Sequence, residues 1–162
     1  MTQTLRNCVS LATTFLLLLV GLAVLYPAPA EIRPTAAKPA TAPRFTALVE
    51  DAKRRIRKIS PQDLKARLVK EAGTLYVIDV REDAEWAAGR LPEAIHLSKG
   101  VLERDIETLI PGPDAAIALY CGSGARSALA AESLGRMGYT DVVSLEGGYR
   151  AWVQAGFPTV RD

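Results

Sequence analysis

Cysteine and histidine are scarce in this chain of 162 residues, which has two cysteines, Cys8 and Cys121, and one histidine, His96. Cys8 lies in a hydrophobic N-terminal segment, so the rest of the chain has a single thiol. One thiol and one imidazole can supply neither an intramolecular disulfide nor the ligands of a zinc site. We therefore predict no metal and no cofactor, and chemistry is the better explanation for a solitary thiol.

An excess of charge of either sign is also lacking. The chain has 20 Lys and Arg residues against 18 Asp and Glu residues, a formal net charge of +2, and Arg6 is the only charged residue before position 31. A nearly neutral domain without a basic patch gives no reason to expect nucleic acid or an acidic macromolecule as a partner.

One long hydrophobic run is present, and it lies at the N-terminus. Residues 8–26 carry no charge, and residues 28–30 place alanines at the positions typical of a signal-peptidase site. Two interpretations of residues 1–30 stay open: a cleaved signal peptide, or a retained membrane anchor, because about 18 uncharged residues can just span hydrocarbon. The signal-like layout favours export to the periplasm or envelope. The flanking charges instead slightly favour an anchored protein with its domain in the cytoplasm.

The remaining sequence predicts a linker and one folded domain. Residues 31–44 are rich in proline and alanine, which is typical of an extended spacer. From residue 45 to 162, short apolar segments alternate with helical patterns, and we predict strands at 56–59, 75–79, 94–97, 116–120 and 142–145. This alternation predicts an α/β fold with a mainly parallel sheet, whose sites lie at the carboxyl ends of its strands.

Cys121 follows the fourth of these strands. Gly122 and Gly124 let the backbone curl so that successive N–H groups face inward, and a helical pattern begins at Ser127. The inward amides and the start of a helix favour a thiolate over a thiol, so Cys121 is predicted to be a nucleophile. A buried, inert cysteine is the alternative.

Arg126 lies four residues beyond that cysteine, with residues 122–125 between them. Cysteine-dependent phosphatases have five intervening residues, and the tighter ring suits one sulfur atom on the cysteine better than a phosphate. Arg126 can hold an anionic substrate by two parallel hydrogen bonds. The alternative is a salt bridge that rigidifies the loop.

The loop resembles the active-site loop of the rhodanese-like sulfurtransferases. Two further segments, 77–94 (VIDVRE, EW and GRLPEA) and 145–158 (LEGG, Trp152 and GFP), are similar to that family's signatures, and the resemblance covers about residues 56–160. The family usually has His where Arg90 stands and Gly where Glu93 stands. The resemblance implies a single rhodanese-like domain with a five-stranded sheet flanked by helices.

It also implies a sulfurtransferase that moves sulfur from thiosulfate or a similar donor to a thiol or cyanide through a persulfide on Cys121. The substrate would be held by the rest of the loop: Gly122, Ser123, Gly124, Ala125, Arg126 and Ser127. A persulfide relay to a protein partner is the main rival function, and a non-catalytic interaction module and a phosphatase are others. The leader predicts membrane association if it is retained.

Other notable residues are predicted to be structural. His96 lies among apolar residues, and Asp79 with Arg81 is expected to fix a turn. Trp86 and Trp152 are expected to anchor the core.

Overall fold

The computed structural model describes residues 43–161, in which helices and strands alternate along the chain. The helices are α1 Pro43–Arg55, α2 Pro61–Lys70, α3 Asp83–Ala87, α4 Leu102–Leu109, α5 Ala125–Arg136 and α6 Gly148–Gln154. The strands are β1 Arg57–Ile59, β2 Leu75–Asp79, β3 Ile95–His96, β4 Ala116–Tyr120 and β5 Val142–Leu145. Three strands, β2, β4 and β5, have the bounds predicted from their apolar runs.

The five strands form one parallel sheet in the order β1-β5-β4-β2-β3. The central strand β4 is buried from Ile117 to Tyr120, because helices cover both faces of a parallel sheet. Buried side chains form two core clusters, one including Ile78, Leu119 and Leu134 and the other including Leu64 and Trp152. The predicted α/β fold with a five-stranded parallel sheet is confirmed.

The first described residues, 43 and 44, lie within the predicted linker. Helix α1 starts at Pro43, two residues before the predicted start of the domain at position 45. The interpretations of residues 1–30 and of most of 31–44 lie outside the described residues and stay predictions. Within residues 43–161, no helix combines the length and the apolar character needed to cross a bilayer.

Two local expectations are wrong. The helix after the cysteine begins at Ala125 and not at Ser127, because Gly124 takes a left-handed conformation (φ +91°) and serves as the N-cap. Ser127 therefore lies buried in the first turn and does not cap the helix. Trp152 is fully buried as predicted, but Trp86 is only half-buried and stacks on His96 with ring centroids 5.0 Å apart.

Glu93 occupies a strained backbone position. It is the one residue other than glycine within 43–161 that has a positive φ, +60°. Glycine, which similar sequences usually have at this position, would adopt this conformation without strain. The left-handed conformation costs a non-glycine residue about 1–2 kcal/mol, and glycine removes this cost. Glycine also has more conformational freedom in the unfolded chain, which lowers stability by about 0.5–1 kcal/mol. Glu93→Gly is therefore expected to raise the free energy of unfolding by about 0.5–1 kcal/mol.

Urea denaturation measures this change. The matched control is Glu93→Ala, which removes the exposed carboxylate but keeps Cβ and should bring no such gain. Equal stabilisation by both substitutions would mean that the charge of Glu93, and not its backbone, is the unfavourable feature.

Candidate active site

Cys121 lies directly after β4, at the carboxyl edge of the sheet. Its Sγ accepts a hydrogen bond from the backbone N–H of Gly124 at 3.2 Å, so the sulfur faces into the loop formed by residues 121–126. The next residues open α5, and the first amides of a helix have no partner within it. Cys121 is only 1% exposed, so this sulfur lies at the bottom of the loop and not on the surface.

A second turn holds the loop from outside. After β5, the N–H groups of Tyr149 and Arg150 donate to the carbonyl oxygens of Cys121 (2.7 Å) and Gly122 (3.2 Å). The backbone comes so close that a Cβ on Gly148 would lie 2.2 Å from the Cys121 oxygen. With its carbonyls fixed toward α6, the loop is free to turn amides toward the sulfur. The sequence showed the glycine pair at 147–148 but not this contact.

Two buried hydroxyls connect the sulfur to β5. Ser127 Oγ lies 3.7 Å from Cys121 Sγ and donates toward it, and Ser144 Oγ donates to Ser127 Oγ at 2.9 Å. Ser127 is fully buried and Ser144 is 3% exposed. Because Ser144 supplies the Ser127 oxygen with a proton donor, the Ser127 proton is left to point at the sulfur. Ser144 is not among the residues predicted from the sequence, although a lone hydroxyl in the apolar strand VVSL was a visible signal.

Ser144 is therefore expected to act as a positioning residue for Cys121. Ser144→Ala frees the Ser127 hydroxyl to rotate, which weakens its hydrogen bond to an anionic sulfur and should slow alkylation of Cys121 by iodoacetamide about 3- to 10-fold at neutral pH. Ser144→Thr keeps the hydroxyl and should restore the alkylation rate, whereas a rate unchanged by Ser144→Ala would contradict this role.

Arg126 makes an ion pair over the loop. Its two terminal nitrogens donate to the two carboxylate oxygens of Glu85 at 2.7 and 2.8 Å, and Nη1 also lies 3.4 Å from Glu82 Oε1. The hydrogen bond from Arg126 holds the pKa of Glu85 below its usual value, and the same bond raises the pKa of Arg126. Both groups are therefore charged at neutral pH. Of the two roles weighed from the sequence, the described geometry contains the salt bridge, and the anion clamp stays a prediction.

The remaining predicted site residues are on the same loop. Gly122 lies under this ion pair, since a Cβ there would be 3.3 Å from Glu85 Oε1, and Ala125 is the first residue of α5. Ser123 and Gly124 face the other side, where they line a groove of about 260 Å³. The seven predicted residues thus form the loop at 121–124 and the first turn of α5 at 125–127, and their roles are untested by the structure.

The neighbouring turn after β2 is held by a buried ion pair. Arg81 donates to Asp79 through Nε and Nη2, at 2.6–2.9 Å, and Nη2 also donates to the Gly89 oxygen at 2.6 Å. His96 Nε2 lies 3.0 Å from the Arg81 carbonyl oxygen and so donates to it. These contacts agree with the structural roles expected for Asp79, Arg81 and His96. They fix the turn that leads to Glu82, the N-cap of α3, and to Glu85 within α3.

The described residues hold no metal-binding cluster, and they form a second groove away from the cysteine loop. Residues 43–161 contain no group of His, Cys, Asp and Glu side chains arranged to hold a metal ion. A larger groove, of about 650 Å³, lies between α1 and α5 and contains no residue of the 121–127 loop.

Known proteins similar to this chain include two that are named as sulfurtransferases. A Bacillus subtilis protein named "Putative sulfurtransferase YtwF" is 38% identical over 97 residues, which are 60% of this chain and 90% of that protein. A protein from Allochromatium vinosum named "Sulfurtransferase" is 35% identical over 105 residues, or 65% of this chain and 95% of that protein.

A solved structure from Rhodopseudomonas palustris has a TM-score of 0.65 and 31% identity, and the match covers 76% of this chain and 100% of the other. That protein is described as one of unknown function and a possible tyrosine phosphatase. The family model for the rhodanese-like domain matches residues 60–155, which include β2, the cysteine loop and the glycine turn. The chain therefore belongs to the rhodanese-like domain family.

Proposed function

We propose that this protein is a sulfurtransferase that carries sulfur as a persulfide on Cys121. In the first step the Cys121 thiolate attacks the outer sulfur of a donor such as thiosulfate, an S–S bond forms, and the bond to the sulfonate breaks. The products are the Cys121 persulfide anion and sulfite, so charge and electrons balance. In the second step a thiol or cyanide accepts the outer sulfur and the thiolate returns.

The observation that supports this chemistry is the placement of the sulfur. Cys121 Sγ accepts the Gly124 N–H and lies near the Ser127 hydroxyl, and both groups can donate hydrogen bonds to a thiolate. Attack by a thiolate transfers no proton, so the reaction needs no general base. Membership in the rhodanese-like domain family and the sulfurtransferase names of two relatives support sulfur transfer in general.

Mass spectrometry of the donor-treated protein tests the proposal. After incubation with thiosulfate and removal of excess donor, the peptide that contains Cys121 should gain one sulfur atom, and added cyanide should remove it. Cys8→Ser is the matched control and should gain the same atom. Because Cys121 is almost buried, iodoacetamide labelling of the native protein is run in parallel. A sulfur that reacts with neither reagent would contradict the proposal.

A phosphatase is the second candidate, since the Rhodopseudomonas palustris structure is described as a possible tyrosine phosphatase. Two features disfavour it: four residues separate Cys121 from Arg126, and the guanidinium that would hold a phosphate is bound to Glu85. Turnover of a generic aryl phosphate that depends on Cys121 would overturn the preference for sulfur transfer.

The acceptor and the cellular location belong to the same proposal. A relay that hands its sulfur to a protein partner would show poor turnover with thiosulfate and cyanide but efficient transfer to that partner.

We also propose an envelope location, based on the uncharged run at 8–26 and the alanines at 28 and 30. The intact mass of the protein from its native cells tests this, because cleavage after Ala30 removes the leader and a retained anchor does not.

A further inference from the structure

The ion pair over the cysteine loop bears on which sulfur donors this site accepts. Arg126 is the positively charged residue of the loop itself, and its guanidinium already gives two hydrogen bonds to Glu85. This two-point contact is the one that a sulfonate would need. An anionic donor therefore has to displace Glu85 or bind without the guanidinium fork.

The local charge also opposes a dianion. Glu82 and Glu85 both lie within 3.4 Å of Arg126, and their side chains are 67% and 38% exposed. Glu85 is close to the residue after the cysteine, because its Oε1 lies 3.3 Å from the position of a Cβ on Gly122. Because two carboxylates face one guanidinium, these three side chains together carry a net negative charge on this side of the loop.

We propose that the Glu85–Arg126 pair, with Glu82, makes Cys121 selective for sulfur donors that carry at most one negative charge over thiosulfate, which carries two. Persulfides of uncharged thiols are the donor class that fits: the Cys121 thiolate attacks the outer sulfur of R–S–SH, the Cys121 persulfide forms, and R–S⁻ leaves. This inference rests on the proposed sulfur transfer and makes Glu85 a specificity-determining residue.

Selectivity for donor charge is tested by comparing two donors that differ by one negative charge. Methanethiosulfonate presents the same bond as thiosulfate, between sulfur and a sulfonyl group, but is a monoanion, and its loading of Cys121 releases methanesulfinate. The rate of sulfur gain on the Cys121 peptide is measured by mass spectrometry for each donor. The persulfide of N-acetylcysteamine, which has no charge outside its sulfur atoms, serves as the third donor.

Glu85→Gln removes the negative charge and keeps an amide oxygen that Arg126 can contact. Because electrostatic work scales with the charge of the ligand, thiosulfate loading should rise about tenfold and methanethiosulfonate loading about threefold. The ratio of the two rates should then shift about threefold toward thiosulfate. Higher salt should shift the wild-type ratio in the same direction, since it screens exposed charges.

Two controls separate the ion pair from other charges. Glu107→Gln removes one exposed negative charge from α4 and should leave the ratio unchanged. Arg150 is exposed in the first turn of α6, where its N–H donates to the Gly122 oxygen, so it adds a positive charge near the loop. A ratio that responds to Arg150→Gln and not to Glu85→Gln would overturn the inference.

Arg126→Ala gives the opposite change. It leaves both carboxylates without their cation, so thiosulfate loading should fall more than methanethiosulfonate loading. Equal losses for the two donors would overturn the inference. Loading by all three donors at a ratio unaffected by Glu85→Gln would also overturn it while leaving the proposed function standing, whereas no sulfur gain with any donor would overturn both.

Discussion

Cys121→Ser will abolish sulfur loading and transfer, with a loss of at least about 10³-fold in rate. The described site offers serine no replacement for the thiolate: the groups that contact Sγ are the Gly124 N–H and the Ser127 hydroxyl, and neither is a base. A serine hydroxyl without an adjacent base stays protonated and is a weak nucleophile. The measurement is sulfur gain on the 121 peptide after treatment with each donor.

The fold should survive this change. Serine has nearly the shape of cysteine and can accept the same Gly124 N–H, so the expected cost is about 1–2 kcal/mol for burying a hydroxyl at a position that is 1% exposed. Circular dichroism and urea denaturation separate loss of chemistry from loss of structure. Sulfur transfer that persists in a folded Cys121→Ser protein would require another carrier, and Cys8 is then tested by the double variant.

Gly148→Ala is expected to have the largest effect on stability. The new Cβ would lie 2.2 Å from the Cys121 oxygen and 2.9 Å from the N atoms of Ser123 and Gly124, and all three are backbone atoms. The residue also has φ +60°, which alanine adopts at a cost of about 1–2 kcal/mol. With overpacking of about 1–3 kcal/mol, the free energy of unfolding should fall by about 2–5 kcal/mol.

The same substitution should also slow sulfur loading in the molecules that remain folded. To make room, α6 has to move away from the loop, which weakens the hydrogen bonds from Tyr149 and Arg150 to the carbonyls of Cys121 and Gly122. The matched control is Gly135→Ala in α5, where no atom outside the helix lies within 4 Å of the new Cβ. That variant should gain about 0.5–1 kcal/mol. A Gly148→Ala protein as stable and as fast as wild type would show that the close approach is not required.

The sequence predicted the fold and the loop well because both depend on local patterns. Apolar runs bounded by glycine, proline and polar residues located β2, β4 and β5, and the Cys–Gly–Ser–Gly run located the loop. The start of α5 was misplaced because a helical pattern of apolar residues begins only where the helix meets the core. Gly124 sets the first residue of α5 by its backbone conformation, which leaves no mark in that pattern.

Contacts between distant segments could not be predicted in this way. Glu85 and Arg126 are 41 residues apart, and nothing in their local patterns shows that the turn after β2 meets the loop after β4. The same holds for Ser144 and Ser127, which meet because β5 and α5 pack together. Trp86 was misjudged for a related reason, since its neighbour is the half-buried ring of His96 on the edge strand and not the core.

The order of the strands ties the assembly of this site to the completion of folding. Glu82 and Glu85 follow β2, Cys121 follows β4 and the glycine pair at 147–148 follows β5, and these three strands are adjacent only in the finished sheet. Such parallel pairings join parts of the chain that are far apart in sequence and form late. During refolding, the helical circular dichroism signal should thus return before the thiol acquires its native reactivity. The rate of Cys121 alkylation therefore reports when the last step of folding is complete.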